Sequence, residues 1–274
     1  MAFETYEESA DGSVPIELYE FTYNGVVRRY TSRDRDVQIT PLTYTAAQLS
    51  RSEITDTGDI TKCDLTITTL SSFPITQLYS VAPPSTVVNL VVKRVQASDL
   101  TDVMVIWTGR VLSASWPNGS GKLFCQSLAS RMKQLGLRRL YGKGCPHQVY
   151  RQGIGECNVA KASFLEMATL SAVDGISLTS ATFAGHPDGW WVGGEIKWEV
   201  EPNVYEIRGV KAHTGDTIQV THAIQGITAG VQVESYPGCD HTPATCRAKF
   251  SNIVNYGGFP FFVSKNPYGN ASVF

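Results

Sequence analysis

The sequence predicts a mainly β protein with two β-rich domains. Three observations support this prediction. Short runs rich in β-branched residues alternate apolar and polar positions, Gly- and Pro-containing turns separate them, and a length of 274 residues allows one large or two smaller domains. The composition, 42% hydrophobic and 18% charged, is that of a folded protein with a core.

The first half of the chain carries the clearest strand patterns. Residues 15–30 alternate apolar and polar side chains around Asn24-Gly25, a dipeptide suited to the positive φ angles of a type I′ turn, so this pattern predicts a β-hairpin. The polar residues 99–102 predict a loop between two strands. Further strands are predicted at 64–68, 87–94 and 103–112.

The pattern changes near the middle of the chain. Leu128, Met132 and Leu135 lie at helical spacings within 127–141, which predicts a short helical connector. After about residue 160 short strands resume between turns, and the stretch from 238 onward combines Gly, Pro and aromatic residues without strand or helix periodicity. We therefore predict an N-terminal β domain, a helical connector, and a β-rich C-terminal domain with an irregular tail, at residues 1–126, 127–144 and 145–274.

Charge and terminal sequence exclude some functions. Lys and Arg number 23 against 25 for Asp and Glu, so no basic field is available to neutralise phosphates, and nucleic acid is set aside as a primary partner. Residues 1–8 are acidic and lack the apolar run of a signal peptide, and the longest apolar windows are only of strand length. We expect the chain to fold in a cytoplasm, where cysteines are thiols or metal ligands rather than disulfides.

The six cysteines fall into two groups. Cys63 and Cys125 lie in apolar strand patterns and are interpreted as small buried hydrophobic residues. The other four lie in turn-forming, irregular sequence, as a Cys-x11-Cys pair and a Cys-x6-Cys pair. Four thiolates fit a zinc site or a cubane iron–sulfur cluster, but neither spacing is a tight Cys-x2-Cys, so four unrelated thiols remain the alternative. The candidate ligands are Cys145, Cys157, Cys239 and Cys246.

Two histidines lie close to these cysteines in the sequence. His147 and His241 each follow a candidate cysteine by two residues. We interpret them as hydrogen-bonding neighbours of the site, because four cysteines already supply four donors. A cysteine hydrolase with Cys145 or Cys239 as the nucleophile is the less favoured hypothesis, since neither cysteine opens a predicted helix that would lower its pKa.

The Trp190-Trp191 pair beside Gly193-Gly194 has two interpretations. The rings could form a sugar-stacking platform, which is typical of a glycan-binding module. The favoured interpretation is the start of a strand, with one ring buried and the other at a protein interface.

Segments along nearly the whole chain match one family, most specifically in the final third. They include Cys145-Pro146-His147, Pro237-Gly238-Cys239-Asp240-His241-Thr242 and Asn255-Tyr256-Gly257-Gly258-Phe259-Pro260, with further matches at 3–7, 15–21, 30–32, 83–85, 106–111, 136–139, 148–150, 193–194, 246, 250, 252 and 266–267. With these residues the chain resembles the tail-tip, or baseplate, hub proteins of long-tailed phages and gene transfer agents, relatives of the minor tail protein L of lambdoid phages.

The resemblance implies a structural role without enzymatic activity. It implies a homotrimeric hub at the tail tip of the virion, assembled in the host bacterial cytoplasm, with an N-terminal domain like a β-barrel or sandwich. Its expected partners are the distal tail protein of the tail tube, the central tip fibre protein and other tail-tip proteins, without sequence-specific nucleic acid.

The same resemblance implies a [4Fe–4S] cluster with a structural role. Carried over residue by residue, its ligands are Cys145, Cys157, Cys239 and Cys246. The alternatives are a zinc-stabilised structural protein, a tail-tip cysteine hydrolase and a glycan-binding module.

Overall fold

A computed structural model of the protein describes residues 14–54, 63–133, 136, 139, 141–224 and 226–261. The chain forms two compact units. The first comprises residues 1–134 and 199–206, and the second comprises residues 135–198 and 207–274. The predicted fold class is confirmed in its main features, because the protein has two β-sheets and few helices. The predicted domain limits stay predictions.

The first unit is built on one nine-stranded sheet. Its strands are β1 (Pro15–Tyr23), β2 (Val26–Thr31), β3 (Val37–Ile39), β4 (Leu42–Ala46), β5 (Leu49–Arg51), β6 (Leu65–Leu70), β7 (Asn89–Gln96), β8 (Asp99–Ser115) and β9 (Ser120–Ser127). Their order in the sheet is β3-β4-β2-β1-β7-β8-β9-β6-β5. Neighbouring strands are antiparallel except β2 and β4, which are parallel. The predicted barrel or sandwich form of this unit stays a prediction.

The predicted N-terminal hairpin is confirmed. Strands β1 and β2 pair from Tyr23 and Val26 at the turn. Asn24 and Gly25 adopt φ angles of 48° and 80°, the left-handed values that a type I′ turn requires. Local turn chemistry thus sets the register of the first two strands.

The predicted loop at 99–102 is wrong, because strand β8 already begins there. Gln96 pairs with Asp99 across a tight turn, whereas the next pair joins Val95 to Val103. The three residues between these two pairs in β8 bulge out of the ladder, which explains how a polar stretch lies within a strand. The polar pattern marked an irregularity of the sheet and not a connection.

The core of the first unit follows the period-2 alternation of its strands. Tyr19, Phe21, Leu90 and Leu123 are fully buried on facing strands. Val204, from the 199–206 segment of this unit, also belongs to this core. That contribution comes from residues distant in sequence, and no local pattern predicted it.

The second unit is built on a seven-stranded sheet. Its strands are β10 (Glu166–Thr169), β11 (Ala172–Asp174), β12 (Ser177–Thr179), β13 (Glu195–Glu201), β14 (Val204–Thr214), β15 (Thr217–Val220) and β16 (Gln232–Tyr236). Their order is β10-β16-β13-β14-β15-β12-β11. The end of β13 and the start of β14 lie in the 199–206 segment that is assigned to the first unit. Trp191 and Phe183 are fully buried in its core, with ring centroids 5.7 Å apart. The predicted resumption of short strands after about residue 160 is confirmed.

The described helices are short, and none is long and apolar enough to cross a membrane. The predicted helical connector is represented by a 3-10 helix at Leu128–Lys133, while Leu135 lies outside the described residues. The α-helices are α1 (Pro74–Gln77) and α2 (Pro243–Ala248). The remaining 3-10 helices are Pro117–Gly119, Lys161–Phe164, Phe183–Gly185 and Ile253–Asn255.

Helix α2 corrects the prediction of a tail without helical structure. The Thr242 side chain accepts a hydrogen bond from the Thr245 backbone N–H, and Pro243 occupies the start of the helix. Both are typical helix-start signals. The helix was missed because six residues are too few to display a helical hydrophobic period.

Candidate metal centre

The four predicted ligand residues come together in the second unit. Cys145 and Cys157 lie in the loops that follow residue 141, and Cys239 lies just after β16. Cys246 lies in α2, which corrects its predicted place in irregular sequence. All four line one small cavity of about 10 Å³. None of the cysteines in the described residues forms a disulfide.

The other two cysteines lie in the first unit. Cys125 is buried in β9, as predicted. Cys63 is only half-buried, and its carbonyl oxygen accepts a hydrogen bond from Trp107 Nε1 at 3.0 Å. The predicted burial of Cys63 in a strand is therefore wrong, since it lies two residues before β6, whereas its separation from the other four cysteines is as predicted.

Backbone hydrogen bonds connect the cysteine loops to one another. The Cys145 N–H donates to the His241 carbonyl at 2.9 Å. His241 has a φ of 63°, and its N–H donates to Cys239 Sγ at 3.3 Å. The loop carrying Cys145 and the loop carrying Cys239 are therefore joined directly around the cavity.

A segment that follows α2 closes the other side of the cavity. The Gly257 N–H donates to Cys145 Sγ at 3.4 Å. The Asn252 side-chain amide donates to the Cys157 carbonyl at 2.5 Å and lies 3.8 Å from Cys157 Sγ. Together with the His241 bond, three of the four sulfurs receive N–H donors. Such donors stabilise the thiolate over the thiol and tune thiolate-ligated metals.

The thiols perturb one another electrostatically. Burial, together with the neighbouring Cys239, Cys145 and Cys157, raises the pKa of Cys246 to about 11. Burial also raises the pKa of Cys239, against the lowering effect of the His241 N–H. Several thiolates in one small space repel one another, so a bound cation is needed for all of them to ionise.

The candidate donor set consists of four cysteine sulfurs. No group of three or more His, Cys, Asp and Glu side chains within the described residues is arranged to hold a single metal ion. The four sulfurs instead border a cavity. One zinc ion needs its four ligands to converge on one point, whereas a cubane cluster gives each thiolate its own iron. Four cysteine sulfurs around one cavity are the ligand set of either a zinc site or a cubane cluster.

The two histidines have different positions. His147 is buried, lines the cavity, and its Nδ1 lies 3.1 Å from the Asn255 carbonyl oxygen. The imidazole of His147 also packs so closely on Gly257 that a Cβ there would lie 2.3 Å from Nε2. His241 is exposed and contributes backbone groups.

The geometry does not favour nucleophilic catalysis. A nucleophilic cysteine needs a lowered pKa, but burial raises the pKa of Cys239. The Nδ1 atom of His147 is directed at the Asn255 carbonyl.

The predicted Trp190-Trp191 strand start is wrong, because the pair lies in a turn that precedes β13.

Trp190 has polar neighbours that the sequence did not reveal. His186 stacks on its ring with centroids 4.6 Å apart, and Lys249 Nζ lies 4.3 Å from the ring centroid. These contacts compete with a sugar for the ring. Trp191 is fully buried, as predicted for one of the two rings.

The sequence patterns did not indicate Lys249 or the open groove that it lines. The groove, about 680 Å³, is lined by Trp190, Cys239, Asp240 and Lys249 among others. Burial lowers the pKa of Lys249 to about 8 against the opposing effect of Cys239 and Asp240. The spacing Cys246-x2-Lys249 could have revealed this residue, since positions three apart share one helix face.

Comparisons with known proteins give the following matches. The family model described as "Baseplate hub protein, N-terminal attachment domain" matches residues 17–160, just over half of the chain. The model "Phage conserved hypothetical protein BR0599" matches residues 189–266, which include Cys239 and Cys246.

Two individual proteins are also similar. An uncharacterized protein of Xylella fastidiosa (strain 9a5c) is 26% identical over 171 residues, which cover 58% of this chain and 36% of that protein. The chain thus spans about a third of the length of this curated relative. A solved chain from a "Virion of native gene transfer agent (GTA) particle" matches with a TM-score of 0.78 and 20% identity, covering 100% of this chain and 99% of that chain, which shows a shared fold.

Proposed function

Because the chain belongs to the family of baseplate hub proteins that share the N-terminal attachment domain, we propose that it is a structural, non-enzymatic component of a phage-like tail. It acts as the hub of the tail tip, as a homotrimer that joins the distal tail protein of the tube to the central tip fibre protein and other tip proteins. The observation that carries this proposal is the family match over residues 17–160.

Features of both units support the hub role. The second family match covers residues 189–266, so two phage families account for most of the chain. The fold is shared with a chain of a gene transfer agent virion. Strands β8 and β9 expose apolar side chains, and exposed apolar residues are suited to protein contacts. They include Val105, Leu112 and Phe124, which are 54%, 47% and 43% exposed.

We further propose that Cys145, Cys157, Cys239 and Cys246 hold a [4Fe–4S] cluster. Support comes from the cavity that they share and from the N–H donors on three of the sulfurs. The cluster supplies iron–thiolate bonds, and these residues hold it in place. It ties residues 145–157 to 239–246, which closes a chain loop of about 80 residues and stabilises the folded loops much as a cross-link does.

The tail role is tested by deleting the gene in the phage or particle that encodes it. We expect tails without a complete tip, and labelled antibody against the restored protein should bind at the tail end in electron micrographs. The purified protein should have the mass of three chains in light scattering. Complete infectious particles formed without this protein contradict the proposal, and a monomer at assembly concentrations contradicts the trimer.

The cluster is tested by visible spectroscopy with iron and zinc analysis after anaerobic purification. A broad visible absorption with about four irons per chain supports it. The Cys145→Ser variant should lose iron, whereas Cys63→Ser, in the first unit, should retain it. One zinc per chain contradicts the cluster but keeps a four-cysteine site, and a protein without either metal contradicts both.

A further inference from the structure

Lys249 connects the two segments that carry Cys239 and Cys246. It follows α2 directly, and its N–H donates to the Thr245 carbonyl at 2.9 Å. Its ammonium group donates to the Gly238 carbonyl at 2.7 Å and also to the Trp190 carbonyl. Since Gly238 precedes Cys239, one side chain fixes the Cys239 loop to the helix that carries Cys246.

The Cys239 loop approaches its neighbours closely. A Cβ on Gly238 would lie 1.9 Å from the Val192 carbonyl oxygen, and one on Gly193 would lie 3.2 Å from the Cys239 carbonyl oxygen. These close approaches pack the Cys239 loop against the 192–194 turn. Beside them, the Gly238 and Trp190 carbonyl dipoles point partial negative charge at the half-buried Lys249 ammonium.

The Lys249 ammonium lacks a carboxylate partner within salt-bridge distance among the described residues. Its described contacts are two carbonyl oxygens and the rings of Trp190 and Phe250, 4.3 Å and 5.5 Å from Nζ. It also lines the groove that reaches Cys239. A half-buried cation that donates to the residue before Cys239 is placed to balance negative charge on the Cys239 sulfur.

We propose that Lys249 is a positioning residue for the cluster, an inference that rests on the proposed function. It holds the Cys239 loop against α2, places a positive charge on the side of the Cys239 thiolate, and lines the same groove as this ligand. A cation near thiolate-ligated iron makes reduction easier, because reduction adds negative charge to the cluster.

The test compares the full-length wild-type protein with Lys249→Met and Lys249→Arg, each loaded anaerobically with ferrous iron and sulfide. Loss of visible absorbance to a chelator and the reduction potential are measured. We expect Lys249→Met to lose absorbance about 10- to 100-fold faster, as is typical when a group supporting metal ligands is removed. Its potential should shift to more negative values. Lys249→Arg keeps the charge and should restore much of both properties.

Lys161→Met provides the matched control. Lys161 Nζ also lies 4.3 Å from an aromatic ring centroid, that of Tyr236, in the same unit, and it pairs with Glu195. We expect Lys161→Met to lose about as much thermal stability as Lys249→Met, as measured by circular dichroism. It should keep the wild-type reduction potential and the wild-type rate of absorbance loss to the chelator.

Three results would overturn the inference. A wild-type rate and potential in Lys249→Met would remove the proposed role, and equal changes in Lys161→Met would make Lys249 an ordinary packing residue. A wild-type protein that takes up no iron would overturn the proposed cluster, and this inference with it. Iron uptake by the wild type therefore separates the failure of the cluster from the failure of Lys249 alone.

Discussion

The nine-stranded sheet and the cysteine loops are stabilised in different ways. In the sheet, backbone groups pair strand to strand, and alternate side chains such as Phe21 and Leu123 are fully buried. In the loops, backbone groups donate to sulfur or to neighbouring loops, as Gly257 does to Cys145. The difference teaches that the sheet is stabilised by its own strand pairing and core, whereas the loops pack around four cysteine sulfurs, which are the ligands of the proposed cluster.

The aromatic packing shows the same contrast. In the sheet unit, Phe21, Tyr30 and Phe73 form a set of edge-to-face contacts, with centroids 4.8 to 6.1 Å apart, on the large hydrophobic core. Beside the cysteines, Tyr150 and Phe250 form a small separate cluster with centroids 6.0 Å apart. A core this small stabilises the loops only modestly, since the hydrophobic contribution scales with buried apolar area.

Removing the proposed cluster should produce the largest difference in stability between the two regions. After anaerobic chelation of iron, we expect the amides of 145–159 and 239–258 to exchange hydrogen at least about tenfold faster, because their supporting ligand bonds are lost. The amides of β1, β7 and β9 should keep their protection. Hydrogen exchange with mass spectrometry measures both. Equal loss of protection in the sheet would show that the two regions are not independently stabilised.

Truncating a core side chain of the sheet should destabilise the first unit without affecting the cysteine loops. Leu123 is fully buried between β6 and β8, so Leu123→Ala should lower the free energy of unfolding by about 2 to 5 kcal/mol. The iron content of the folded protein should not change. Chemical denaturation followed by circular dichroism measures the loss of stability.

The neighbouring Phe124 provides the control for this substitution. It is 43% exposed, so Phe124→Ala should cost much less stability. If Leu123→Ala released iron from protein that remains folded, the comparison of two separately stabilised regions would be wrong.

A smaller effect is expected from adding one methyl group beside the cysteines. The Cβ of Gly257→Ala would lie 2.3 Å from His147 Nε2, and the overpacking should cost about 1 to 3 kcal/mol. It should also displace the N–H that donates to Cys145 Sγ, so that iron is lost faster to a chelator. Thermal unfolding and chelator kinetics measure the two effects.

Gly185→Ala is the matched control in the same unit. Its Cβ would have nothing within 4 Å, so both properties should stay at wild-type values. Should the two alanine variants behave alike, the close contact between Gly257 and His147 would have no part in holding the cysteine loops.

Features with local causes could be predicted from the sequence. The turn at Asn24-Gly25 was predicted because positive φ angles favour these residue types, and the structure has these angles. The burial of Cys125 followed from the alternation of its strand. Local patterns failed at the bulge of β8, which depends on pairing with β7, and at helix α2, whose six residues are too few to display a helical period.

The sequence by itself determined the mainly β class, the first hairpin, the distinction of Cys145, Cys157, Cys239 and Cys246 from the other cysteines, and the family resemblance. Tertiary structure alone decided that these four line one cavity, that the 199–206 segment belongs to the first unit, and that Asn252, Gly257 and Lys249 surround the site. The physical reason is the separation along the chain over which each kind of interaction acts. Turn angles and side-chain alternation act between neighbours in the chain, whereas the cavity depends on contacts between residues about 100 positions apart, such as Asn252 with Cys157, and these exist only once the chain has folded.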